Sequence, residues 1–153
     1  MNTLNDLQQH FRPASFKSKQ MMKKILLIED DFSTREIVKE ALFGIQEFNI
    51  DVSSAHNGLE GLSFLAIHKD TDLVILDLMM PFMNGEDFLS GLLRTNENVY
   101  NQSEFLITSG SEPGKKIAED YNASFIAKPF SIEKLMAQVR SLLAPKKKHY
   151  AFD

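Results

Sequence analysis

The 153-residue chain has no cysteine, which removes disulfides, thiolate nucleophiles and zinc–thiolate sites from consideration. It has no apolar run of the length a membrane span needs. Residues 1–22 lack the apolar core of a secretory leader, so the expected compartment is the cytoplasm. Charge of one sign is also lacking: the formal net charge of -4 provides no broad field for holding nucleic acid. No internal repeat and no low-complexity segment interrupts the chain. The length suits one domain with a real core, placed at residues 23–144 between tails at 1–22 and 145–153.

What the chain does have is a set of short apolar runs, each ending abruptly in a polar residue. The central one is Leu73-Val74-Ile75-Leu76-Asp77. It is too short for a helix and reads as a strand buried on both faces. A carboxylate closes it, and Pro81 then prevents continuation of the ladder. Ile25-Leu26-Leu27-Ile28 ends in Glu29-Asp30-Asp31, Phe105-Leu106-Ile107 in Thr108-Ser109-Gly110, and Ser124-Phe125-Ile126-Ala127 in Lys128-Pro129. A weaker strand is predicted over 50–55, followed by an Asn57-Gly58 turn.

Helical patterns fill the intervals. A helix is predicted over 32–43, capped by Ser33 or Asp31 and presenting Ile37, Leu42 and Phe43 to the core. A second, over 59–67, presents Leu59, Leu62, Phe64, Leu65 and Ala66. A third, over 86–94, presents Phe88, Leu89, Leu92 and Leu93. A short one starts at Pro113 and runs to about Tyr121, and a last one covers 132–143 behind a Ser131 cap. Residues 1–22 carry Arg12, Lys17 and Lys19 against Asp6. They are expected to form a flexible tail, with a docking helix through Leu4, Leu7 and Phe11 as the sharper alternative.

Strand–helix alternation with short loops implies an α/β fold: parallel strands, right-handed crossovers and helices on both faces. In such a sheet all strand ends lie on one edge, where ligands bind. Glu29, Asp30, Asp77, Thr108 and Lys128 therefore converge on one crevice. Crowded carboxylates repel one another unless a cation is present. An all-oxygen set points to Mg²⁺. With it, Asp77 has the chemistry of a nucleophile toward a phosphoryl group, Lys128 of a charge neutraliser and Thr108 of a hydrogen-bond donor.

With these residues in view, the chain resembles the receiver domain of two-component response regulators. The pattern comprises the acidic pair Glu29-Asp30, the setting Asp77-Leu78-Met79-Met80-Pro81 with Met83-Asn84-Gly85 behind it, Thr108, and Lys128-Pro129-Phe130. The acidic pair can also be aligned as Asp30-Asp31; Glu29-Asp30 is preferred because Glu29 directly ends the apolar strand. The resemblance spans about residues 23–144. It implies a flavodoxin-like, CheY-like sheet of strand order 2-1-3-4-5, with Asp77 as phosphoacceptor from a histidine kinase or histidine phosphotransfer protein. It further implies Mg²⁺ held by Glu29, Asp30, Asp77 and the backbone carbonyl of Met79, a cis Lys128–Pro129 bond, and Thr108 and Phe125 as switch residues. Asn57 and Asn84 stand where the family commonly has aspartate, and the segment from Thr108 to Phe125 is about two residues short.

The expectation is a stand-alone receiver that signals through protein contacts, since the ten residues after Leu143 are too few for a DNA-binding or enzymatic output domain. It catalyses only its own phosphorylation and dephosphorylation. A pseudo-receiver adaptor that binds partners without phosphorylation is the alternative. A phosphatase of the haloacid dehalogenase kind is disfavoured, because Met79 stands where that chemistry places a second acid.

Overall fold

The computed structural model describes residues 21–146. The expected tail and docking helix of residues 1–20, and residues 147–153, lie outside the described residues. Five strands form one parallel sheet: β1 (Met22–Ile28), β2 (Asn49–Ala55), β3 (Leu73–Asp77), β4 (Glu104–Ser109) and β5 (Ser124–Ala127). The order is β2-β1-β3-β4-β5, the one the resemblance implied, with the parallel strands expected from the alternation. Met22 belongs to β1, so the sheet begins one residue earlier than the domain boundary predicted at residue 23.

Among the described residues six helices accompany the strands: α1 (Phe32–Phe43), α2 (Gly58–Ile67), α3 (Gly85–Thr95), α4 (Glu97–Gln102), α5 (Pro113–Asp120) and, after β5, α6 (Ile132–Leu143). The period-2 alternation of the strands divides the core cleanly. Leu26, Ile28, Val74, Leu76, Phe105 and Ile107 pack with α2, α3, Val99 of α4 and Ala118 of α5. Ile25, Leu27, Leu73, Ile75, Leu106 and Ile126 pack with α1 and α6.

Several sequence expectations need correction. Ile37 and Phe43 are exposed; the buried stripe of α1 is Arg35, Val38 and Leu42. In α2, Leu59 and Ala66 face solvent, and Gly58, Gly61 and Leu65 are buried. The reason is close packing: a Cβ on Gly61 would meet Ile28 Cδ1 at 2.5 Å, so the helix lies on the sheet through its glycines. Leu93 is exposed in α3. Helix α4, unforeseen in the sequence, is capped by Asn96, whose side chain accepts from Val99 N–H. Asn57 and Gly58 form no separate turn: Asn57 caps α2 by accepting from Glu60 N–H, and Asn84 caps α3 by accepting from Asp87 N–H. An amide oxygen serves these caps as well as a carboxylate would.

Gly85 fixes how α3 leaves the central strand. Its N–H donates to Leu78 C=O at 3.0 Å, and a Cβ there would fall 2.8 Å from both Asp77 O and Leu78 Cα. Those atoms are backbone and yield little. Gly85→Ala is expected to destabilise the protein by about 2 kcal/mol, the range of overpacking. Urea unfolding measures it; a change below about 0.5 kcal/mol, the surface-substitution level, would contradict this packing.

Candidate functional site

Strand register brings the polar ends together. Ile28 pairs with Leu76 across β1 and β3, so Glu29 stands level with Asp77, and Asp77 pairs directly with Thr108 of β4. Thr108 pairs with Ile126 of β5, and Lys128 lies two residues further on. By alternation, Glu29, Asp77 and Thr108 share the parity of the α1/α6 face. One row of the sheet thus delivers three of the predicted residues, and Lys128 reaches back from β5.

The crevice is buried and charged. Glu29 and Asp77 are 3% and 4% exposed, whereas Asp30 is exposed. Carboxylate oxygens of Glu29, Asp30 and Asp77 all lie within 4.8 Å of one another. Lys128 Nζ sits 3.0 Å from Glu29 Oε2 and 3.2 Å from Asp77 Oδ2, clasping both buried acids. Asp77 Oδ1 accepts from Met79 N–H at 3.1 Å, and Glu29 Oε1 from Asp31 N–H at 3.1 Å. The carboxylate of Asp31 is turned elsewhere: it caps α1 by accepting from Thr34 N–H at 2.7 Å, and that bond holds its pKa below the ordinary value. The geometry therefore groups Glu29 with Asp30, not Asp30 with Asp31.

Burial pushes the Glu29 carboxyl above its ordinary pKa, and the Asp77 charge adds to the rise against the opposing hydrogen bond from Lys128. Burial alone would depress Lys128. The hydrogen bond to Glu29 and the charge of Asp77 outweigh it, so the ammonium is held above 10.5. One ammonium against three carboxylates leaves negative charge over. Hard oxygens at this spacing, with two of the three acids buried, suit a divalent cation of the magnesium or calcium type.

Thr108 is buried, and its hydroxyl makes only a long contact of 3.5 Å to Leu76 C=O. Phe125 pairs with Ile107, packs with the α2–α5 side of the core and is half-buried. Its immediate neighbour is Gly114 of α5, where a Cβ would meet Phe125 Cε2 at 2.9 Å and Ser109 Cβ at 2.8 Å. Thr108 and Phe125 are thus on adjacent strands but on opposite parities. The Lys128–Pro129 peptide is cis, as the resemblance implied, and Lys128 N–H donates to Ser109 C=O at 2.8 Å.

Beyond Asp77 the chain forms an exposed rim. Met79 faces solvent, and Phe82 is 93% exposed with φ 66°, at the centre of a γ-turn closed by Met83 N–H to Pro81 C=O at 2.8 Å. An open groove of about 510 Å³ lies beside Lys128, walled by Thr34, Ile37 and Val38 of α1 and by Pro129, Phe130 and Ile132. The sequence reading overlooked Arg35. It is 5% exposed, and its Nη1 donates to Glu29 C=O at 2.8 Å and Asp30 C=O at 3.3 Å. Its place three and seven residues before Val38 and Leu42 was the available signal, hidden by assigning the stripe to Ile37.

The fold and the row of strand-end acids define a doubly wound parallel sheet with an acidic crevice at its carboxyl edge. The family model for the response regulator receiver domain matches residues 25–140, and the chain belongs to that family. Among curated relatives, the transcriptional regulatory protein CpxR of Escherichia coli (strain K12) is 35% identical over 123 residues, covering 80% of this chain and 50% of that protein. The response regulator ArlR of Staphylococcus saprophyticus is 35% identical over 124 residues, covering 80% and 53%. The chain spans about half the length of these curated relatives. Among solved structures, the chemotaxis protein CheY4 of Vibrio cholerae superposes with a TM-score of 0.69 at 25% identity, covering 80% of this chain and all of that one. The CheX–CheY–BeF3–Mg complex of Borrelia burgdorferi gives 0.67 at 26% identity, covering 80% of this chain and 90% of that one.

Removing the ammonium tests the electrostatic account. Glu29 has a native pKa above its ordinary 4.5, so its contribution to stability is greatest below that value and is lost as pH rises through the native pKa. Lys128→Met takes away the partner that opposes the rise. In chelator at neutral pH it is expected to cost about 2 kcal/mol, less than the 3–5 of a fully buried pair because the Lys128 side chain is 28% exposed. The deficit is expected to shrink as pH falls through the raised Glu29 pKa and the carboxyl takes up a proton. Urea midpoints across pH decide it; a deficit independent of pH would show that Lys128 acts only through packing.

Proposed function

We propose that this chain is a phosphorylatable receiver: Asp77 accepts a phosphoryl group from the phosphohistidine of a histidine kinase or histidine phosphotransfer protein. The observation that carries the reading is the Glu29–Asp30–Asp77 oxygen cluster beside Lys128, on the row of the sheet that includes Thr108. An oxygen of Asp77 attacks phosphorus, the P–O bond forms as the P–N bond breaks, and the electron pair leaves with the imidazole nitrogen, which takes a proton. Met79 N–H and Lys128 hold the Asp77 carboxylate in one orientation. Lys128 then moves its charge from carboxylate to phosphoryl oxygen over a short distance. Mg²⁺, held by Glu29, Asp30, Asp77 and the Met79 carbonyl, supplies further neutralisation of the phosphoryl oxygens when bound. The chain is not a turnover enzyme in this reading; it catalyses its own phosphorylation and hydrolysis in the cytoplasm.

The buried position of Asp77 requires the donor residue to enter from the strand-end edge. The groove between α1 and Pro129–Ile132 offers the donor protein apolar contact beside Lys128. The solved complex of a CheY with CheX, beryllium fluoride and magnesium supports the chemistry by analogy. Downstream output through protein contacts belongs to the same proposal.

Incubation with acetyl phosphate and Mg²⁺, followed by intact mass, tests the acceptor. One added phosphoryl group is expected, lost in Asp77→Asn with the fold preserved by circular dichroism. Undiminished labelling of that variant would refute the assignment, and an unlabelled parent would favour an adaptor that works without phosphorylation.

Thr108 has a loosely held hydroxyl facing the row of Asp77, so it is free to turn to a phosphoryl oxygen. A beryllium fluoride adduct is expected to shift resonances of Ser109 to Tyr121 and of Phe125 as well as those near Asp77. Thr108→Ala is expected to accept phosphoryl but lose most of the distant shifts. Perturbation confined to the neighbours of Asp77 in the parent would show a phosphoacceptor that is not a switch.

A further inference from the structure

Glu29 and Asp30 are consecutive, yet both carboxylates reach the same cluster. In an extended strand neighbouring side chains point to opposite faces. Convergence therefore requires the backbone to turn between them, just past the last residue of β1. In extended chain consecutive carbonyls also point in opposite directions. Here the carbonyls of Glu29 and Asp30 both receive Nη1 of Arg35, at 2.8 and 3.3 Å. One guanidinium nitrogen bonded to two successive carbonyls fixes both peptide planes.

Arg35 is itself unusual. It is 5% exposed and makes no salt bridge among the described residues; besides the carbonyls it lies over the Phe32 ring, with Cζ 5.6 Å from the centroid. A buried guanidinium is costly unless its donors are used and opposite charge is close.

We infer that Arg35 is the positioning residue of the acidic pair: by holding the Glu29 and Asp30 carbonyls on the α1 side, it turns both carboxylates onto the crevice and preorganises the cation site. The inference rests on the proposal that this cluster binds Mg²⁺. The Arg35 hydrogen bonds go to the two carbonyls, so it acts through the backbone, as second-layer partners of metal ligands commonly do.

The sign of one measurement separates positioning from charge. Removing a positive charge near a cation site would by itself tighten cation binding. Loss of positioning weakens it. Mg²⁺ titration by calorimetry on the full chain is expected to show binding about tenfold weaker in Arg35→Met, within the 10–100-fold range for such partners. The half-saturating Mg²⁺ for acetyl phosphate labelling is expected to rise in step. Arg35→Lys keeps the charge and one donor, and is expected to recover part of the loss. It also serves if Arg35→Met does not fold, because a lysine that bonds only one carbonyl should still bind measurably more weakly than the parent. Equal or tighter Mg²⁺ binding in a folded Arg35→Met, or parent-like affinity in Arg35→Lys, overturns the inference while leaving the cation site standing. A parent that binds no Mg²⁺, or an Asp30→Ala variant with unchanged affinity, overturns the cation reading itself and the inference with it.

Discussion

The clasp of Lys128 on Glu29 and Asp77 is the interaction on which the rest of the site depends. It joins the ends of three strands, and two of its three members are almost wholly buried. A buried carboxylate without a partner is costly, and two side by side more so. One ammonium relieves part of that cost and leaves the cluster short of positive charge. The fold thus holds its strand ends in an electrostatic condition that a cation or a phosphoryl group would change. A simple stabilising salt bridge would balance its charges; this one does not.

Around that clasp, backbone contacts leave the strand ends little freedom. Met79 N–H takes one oxygen of Asp77, Gly85 backs against the Asp77 carbonyl, and Leu78 N–H donates to Thr108 C=O. On the other side, Arg35 gathers the carbonyls after β1, and Lys128 N–H is tied to Ser109 C=O. The side chains that would do chemistry are therefore carried by backbone that is itself hydrogen-bonded. Beyond Asp77, Met79 and Phe82 project into solvent from the rim. A left-handed φ at a bulky residue is uncommon, and Phe82 combines it with near-complete exposure, so local stability is not what this position serves.

Much of this was legible in the sequence because the strands are short continuous apolar runs with a polar residue at each end. Register follows from such runs: once β1, β3 and β4 are aligned by their last apolar residue, Glu29, Asp77 and Thr108 fall on one row. The helices were less legible. Apolar residues on α1 outnumber the places on its buried face, so Ile37 competed with Val38 and the buried arginine was missed. In α2 the contact with the sheet is made partly by glycine, which carries no hydropathic signal. Helix α4 is six residues of mainly polar sequence held by Val99 and its cap, below what periodicity can register. The position of Lys128–Pro129 was anticipated through family resemblance, since no local pattern in one sequence specifies a cis bond.

The two faces of the sheet constrain how a change at Asp77 could be felt elsewhere. Thr108 has the parity of the α1/α6 side, whereas Phe125 packs with the α2–α5 side against Gly114 and Ser109. The two side chains therefore start from opposite sides of adjacent strands. The backbone links the two sides, because Ser109 follows Thr108 and its side chain lies on the Phe125 side. Ser109 Oγ is 2.8 Å from Ser111 Oγ and accepts from Ser111 N–H, and its Cβ abuts the position where Gly114 lacks one. A small rotation of the Thr108–Ser109 peptide would move the start of α5 and the wall of the Phe125 pocket together. The close fit at Gly114 leaves little slack between Ser109, α5 and the ring, and packed interiors transmit displacement where loose ones absorb it. Helix α5 is seated directly on the ring through Gly114, with no side chain between them.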